Sequence, residues 1–188
     1  EAIEVAESMP GAFGGIALVV LAAVGTYLLV AATAGDEASG LRLAYLVALG
    51  VGLHNLAEGL AIGGAFALGR VSLGAFLVVG FMVHNVTEGP AVVAPVARAE
   101  RPALWHFAAL GVLAGVPVVL GGWVGALARD PTLGALFLAI GVGAIVQVVR
   151  EIGGMIRADG ARLGSRHVLL AGLAGLAVMY LTDLLVAL

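Results

Sequence analysis

Six long apolar stretches, separated by short polar or Gly/Pro-marked breaks, make up most of this 188-residue chain. They run over 13–34, 43–68, 72–97, 103–127, 133–156 and 168–188. The breaks are GDEASG at 35–40, the Gly69-Arg70 turn, VARAERP at 96–102, Arg129-Asp130-Pro131, and a basic stretch holding Arg157, Arg162 and Arg166. Each stretch is about 20–26 residues long, enough for a helix rising 1.5 Å per residue to cross a hydrocarbon core of ~30 Å. No stretch alternates apolar and polar residues as a barrel strand does. The pattern predicts an all-α membrane protein, one domain over 1–188 with six transmembrane helices. Residues 1–12 are acidic, end in a Pro-Gly break, and read as the end of a preceding helix.

Two polar strings interrupt the second and third stretches: HNLAEG at 54–59 and HNVTEG at 84–89. Both read His-Asn-x-x-Glu-Gly. On a helix, His54 and Glu58 share a face, and so do His84 and Glu88. Ionisable groups at bilayer depth cost roughly 2.5–3.5 kcal/mol each on insertion scales for Asp, Lys and Arg, so two matched His-Glu pairs need compensation. Counted from Arg70, Glu58 lies 12 residues away, His84 14, His54 16 and Glu88 18. In an antiparallel hairpin these four form a ladder within about 9 Å of depth, the scale of one metal site or of two close metals. His and Glu suit Zn2+ and other first-row divalent ions, while Asn55 and Asn85 offer weak carbonyl ligands. Pro90, lacking an N–H, frees the carbonyl of Val86 inside the third stretch. Gly59 and Gly89 are expected to let another backbone approach.

Blander readings stand beside this one. A single intramembrane His can serve as an interhelical hydrogen bond, and one His-Glu pair can be a buried ion pair. The duplication at equal depth is harder to explain by packing. His106 and His167 read as interfacial, and Glu151 reads as an ion pair with Arg150. Gln147 and Asp183 are ambiguous, and the glycines of stretches four to six read as packing faces.

Composition narrows the class. The chain is 62% hydrophobic with mean hydropathy +1.13, beyond the soluble globular range. There is no Cys, which excludes disulfides and thiolate ligands. All nine basic residues are Arg, a usage resembling high-GC prokaryotic coding, so a prokaryotic inner (plasma) membrane is expected. The net charge of −3 points to no nucleic-acid partner. No signal peptide is evident, and a start at Glu1 rather than Met reads as a piece of something longer. Loops after stretches one, three and five carry six Arg (42, 98, 101, 157, 162, 166), against two (70, 129) after stretches two and four. The positive-inside rule therefore puts both ends of this chain outside.

These motifs resemble the ZIP family of divalent-metal transporters, whose fourth and fifth helices carry His-Asn-x-Pro-Glu-Gly. The six stretches are similar to helices 3–8 of that eight-helix fold, with GVGAIVQVVREI (141–152) resembling the seventh. The resemblance implies that helix one and nearly all of helix two are absent from this chain. It implies that His54, Asn55, Glu58, His84, Asn85 and Glu88 are metal ligands. It also implies a homodimer and an elevator-type motion of stretches two to four against one, five and six. Its cargo is Zn2+, with Cd2+, Fe2+ or Mn2+ as alternatives, moved toward the cytoplasm. The chain departs from the family at Ala57 and Thr87, where proline is usual, and at Val116, where many bacterial relatives have Glu. It also lacks His in the 35–42 loop. Rival readings are a haem-binding electron carrier ligated by His54 and His84, and a metal-binding membrane scaffold without transport. An enzyme is not expected: the spacing is His-x-x-x-Glu, not the His-Glu-x-x-His of zinc proteases, and no separate catalytic base stands out.

Overall fold

A computed structural model gives the fold and describes residues 15–34, 40–97, 102–127 and 131–187. Six helices follow one another: α1 Ile16–Ala34, α2 Gly40–Ala67, α3 Val71–Val93, α4 Leu104–Leu127, α5 Pro131–Ala158 and α6 Arg166–Ala187. There is no strand among the described residues. Five of the helices are long and apolar enough to cross a membrane. The sixth, α6, has a shorter apolar stretch, Arg166–Thr182, among the described residues.

Helix ends follow local chemistry. At the end of α2, Gly69 takes φ +73°, Arg70 N–H bonds Ala65 O at 2.9 Å and Gly69 N–H bonds Phe66 O at 3.0 Å. This left-handed cap satisfies terminal carbonyls and turns the chain straight into α3. The end of α5 repeats it at Gly160, with φ +78°. Pro90 is carried inside α3, which ends in a 3-10 turn over Ala94–Val96.

α2 is the central element. Of its 28 residues 14 are buried, against 4 of 23 in α3 and 3 of 24 in α4. It packs along α4 most extensively, then against α5 and α3, while α1 leans on α5 and α6 on α3. The α2–α4 contact is backbone against backbone. A Cβ at Gly52, Gly59 or Gly63 would overlap the carbonyl oxygens of Leu113, Val118 and Gly122 respectively. In return, a Cβ at Gly121 or Gly125 would overlap those of Leu56 and Leu60. Small residues let apolar helices approach where lipid offers no hydrophobic driving force, so dispersion contacts hold the pair. Leu21, Leu29, Trp123 and Leu176 turn outward. On a membrane-spanning bundle these are the faces that meet lipid.

The expected glycine roles divide here. Gly59 makes the anticipated close approach, but a Cβ at Gly89 would meet nothing within 4 Å. Gly172 and Gly175 of α6 likewise face open space, so they are not packing positions among the described residues. The side chain of Asp183 lies outside the described residues, as do residues 1–14, Arg98, Arg101 and Arg129.

Candidate metal centre

Helical spacing places His54 and Glu58 one turn apart on α2, and the Gly69 turn brings α3 back antiparallel beside them. His54 Nε2 lies 3.3 Å from Glu58 Oε1. His84 Nε2 reaches the same oxygen from α3 at 2.5 Å. One ligand atom from each of the three residues lies within 4.8 Å of the other two. Glu58 and His84 are buried, and His54 is partly open, with 26% of its side chain exposed. Asn85 Nδ2 donates to the other oxygen of Glu58 at 3.4 Å. Thr87 Oγ1 donates to the carbonyl of His84 at 2.6 Å. Glu58 is therefore the hub, with each carboxylate oxygen engaged from α3.

One cavity opens onto this hub, and a second lies beside it, behind Asn85. The larger, about 520 Å³, runs from His54, Glu58 and His84 toward the α2–α3 turn, past Ala61, Leu73, Leu77 and Phe81. Its far wall is Leu138, Val142 and Ile145 of α5 with Met179 and Thr182 of α6. The smaller, about 210 Å³, extends the other way and is lined by Asn55, Asn85 and Glu88 together with α4 residues including Ala114 and Val118. Asn55 Nδ2 donates to the Ala114 carbonyl at 3.0 Å, which fixes its amide. Three buried acceptors of residues lining this cavity then lack a partner among the described residues: Asn55 Oδ1, Asn85 Oδ1 and Glu88 Oε2; a fourth, Gln147 Oε1, lies on α5. Buried acceptors without donors are costly, and a cation is a chemically apt partner for such a set.

All six candidate ligands thus converge, but as two adjoining groups rather than one. His54, Glu58 and His84 form the first. Glu88, expected around the same ion, lies one helical turn beyond His84 and joins the two asparagines in the smaller cavity. The ladder count does not show this split, since its four rungs are evenly spaced at two-residue steps from Arg70.

Other polar positions sort differently. Gln147 is fully buried and its Nε2 donates to Glu151 Oε1 at 2.5 Å. Arg150 Nη1 stands 4.0 Å from that oxygen and its side chain is 55% exposed, so Gln147 is the nearer partner of Glu151. His106 Nδ1 lies 2.9 Å from Tyr45 Oη, tying the starts of α4 and α2 together, and His167 is exposed. Thr182 was not singled out by the sequence. It is buried, lines the larger cavity and donates to the Val178 carbonyl at 2.9 Å. Its signal was simply a hydroxyl inside an apolar span.

No protein-family model, curated protein or solved structure matches the chain.

Proposed function

We propose that this chain moves divalent cations, Zn2+ foremost, across a bilayer toward the cytoplasm, in the manner of ZIP-like transporters. One observation carries the reading: two imidazoles and a carboxylate from adjacent membrane-length helices converge within 4.8 Å. Neutral His and ionised Glu are borderline-hard donors that suit Zn2+, and Cd2+, Fe2+ and Mn2+ fit the same set less selectively. A site that must also release its ion needs a place to pass it on. The unpartnered acceptors Asn55 Oδ1, Asn85 Oδ1 and Glu88 Oε2 supply one, on the far side of Glu58 from the larger cavity. In the orientation expected from the arginines, the ion enters through the larger cavity and leaves through the smaller. The packing supports a moving body of α2 and α4, interlocked by five glycine–carbonyl contacts, with α3 attached by the tight turn. α1 and α5 form the opposing body, joined where Gly143 meets the Ala23 carbonyl.

The haem reading fares worse. Glu58 Oε1 stands between the two imidazoles, within 3.3 Å of both Nε2 atoms, where a porphyrin iron would have to sit. The experiment that separates transport from a metal-binding scaffold is Zn2+ uptake into proteoliposomes holding the purified chain, paired with anomalous scattering at the zinc edge. Uptake together with a peak among His54, Glu58 and His84 supports the proposal. A peak without uptake supports the scaffold, and no peak at saturating zinc and neutral pH removes both.

A further inference from the structure

α5 is wedged between α1 and α2, and two glycines on different faces make this possible. A Cβ at Gly143 would overlap the carbonyl oxygen of Ala23 on α1. A Cβ at Gly141 would instead meet the metal centre: Ala57 Cβ at 3.0 Å, His54 Cα at 3.5 Å and His54 Nδ1 at 3.7 Å. The imidazole of His54 thus has one nitrogen beside α5 at Gly141 and the other beside Glu58. α5 does not retreat readily from this contact, because its backbone already abuts α1 behind it.

We propose that Gly141 is a positioning residue for the metal centre: the absence of a side chain there lets α5 lie against Ala57 without pushing the turn of α2 that carries His54 and Glu58. This rests on reading that trio as a divalent-cation site. The physical step is short. Carbon atoms in contact sit at about 3.5–4.0 Å, so a methyl 3.0 Å from Ala57 Cβ must push by a few tenths of an ångström. Ala57 is the residue before Glu58 and has no flexible end to yield. The displacement therefore passes into the α2 segment that carries both His54 and Glu58. His54 and Glu58 then move together against His84 on α3, by more than the roughly ±0.2 Å within which the distances of a well-formed metal site fall.

The test uses the purified chain in nanodiscs, as wild type, as Gly141→Ala, and as the double variant Ala57→Gly/Gly141→Ala, which removes the atom nearest the added methyl. Zn2+ affinity is read by competition with a chromophoric chelator, and imidazole ligation by X-ray absorption at the zinc edge. Gly141→Ala is expected to bind Zn2+ about 10–100-fold more weakly, the range typical of residues supporting a ligand from behind. Its spectrum should lose one of two imidazoles, and the double variant should regain both affinity and ligand. The metal-free thermal transitions should differ by no more than an ordinary Gly/Ala exchange inside a helix produces, and should not track the loss of Zn2+ affinity. Wild-type affinity with two imidazoles in Gly141→Ala overturns the proposal. So does a loss that tracks a fall in the metal-free transition and is not restored by Ala57→Gly, which marks a packing role alone. If wild type itself binds no zinc, the site reading has failed before any variant is compared, and this inference falls with it.

Discussion

Glu58 and Glu88 occupy equivalent places in two near-identical strings, yet they hold unequal positions. Glu58 Oε1 faces both imidazoles and its Oε2 accepts from Asn85, whereas Glu88 faces only the smaller cavity. Glu58→Gln should therefore weaken Zn2+ binding by about 100-fold or more, because it removes the only anion between two imidazoles; an ordinary supporting contact is worth about 10–100-fold. Glu88→Gln should cost first-site affinity less and slow release more. Isothermal titration and proteoliposome flux, measured on both variants, check the order. Protons act on the same atoms. His must be neutral and Glu ionised to ligate, so metal binding expels protons, and acidification must oppose it. Zn2+ affinity should fall steadily as pH is lowered from 7.5 to 5, and a flat profile would contradict a His/Glu donor set.

At the scale of helices, the two motif glycines make opposite predictions. Gly59→Val forces a side chain into the Val118 carbonyl and should destabilise the bundle by about 1–3 kcal/mol or more, as overpacking does. Gly89→Ala places a methyl in open space and should be neutral or stabilising by up to about 0.5–1 kcal/mol, the usual gain of Ala over Gly in a helix. Thermal transitions of the two variants in one detergent settle the contrast. It also shows what the sequence conveyed. Helix lengths, the Gly69 turn and the similar depth of the two His-Glu strings were legible, because hydrocarbon thickness, left-handed caps and residue counting each leave a local mark; that His84 would meet Glu58 rather than Glu88 was not. The difference between Gly59 and Gly89 was not legible. These helices are apolar on nearly every side, so no polar stripe tells a glycine pressed against a neighbouring backbone from one with open space beside it. The same blindness hid Gly141 beside His54, and hid the Ala114 carbonyl that fixes Asn55, since backbone partners carry no residue signature.

For the whole molecule, the arginines set an expected orientation, and the lack of Cys makes it simple to measure. A single cysteine at Ser72→Cys, beside the α2–α3 turn, should react with a membrane-impermeant maleimide on intact cells. One at Ala161→Cys, after α5, should react only once the membrane is opened. The reverse pattern would invert the direction in which the two cavities are read. The division into an α2–α4 body and an α1–α5 body belongs to this scale too. Each is held by glycine–carbonyl contacts, whereas α2 meets α5 at Gly141 mainly through side-chain atoms of Ala57 and His54.

The central place of α2 has a consequence for how the chain is made. α2 leaves the ribosome before α4 and α5, which bury much of its surface. Its mean hydropathy, 1.4, is well below the 2.4 of α1 and the 2.0 of α4, so it is a reluctant entrant to the bilayer. Besides His54 one turn earlier on α2 itself, the first partner from another helix that synthesis can offer Glu58 is His84, on the very next helix across a tight turn. α2 and α3 therefore enter lipid as a hairpin that carries its own charge compensation, and α4 later closes over a pair already formed. The contact at the heart of the proposed cation site would also be the one that eases insertion of the helix carrying it.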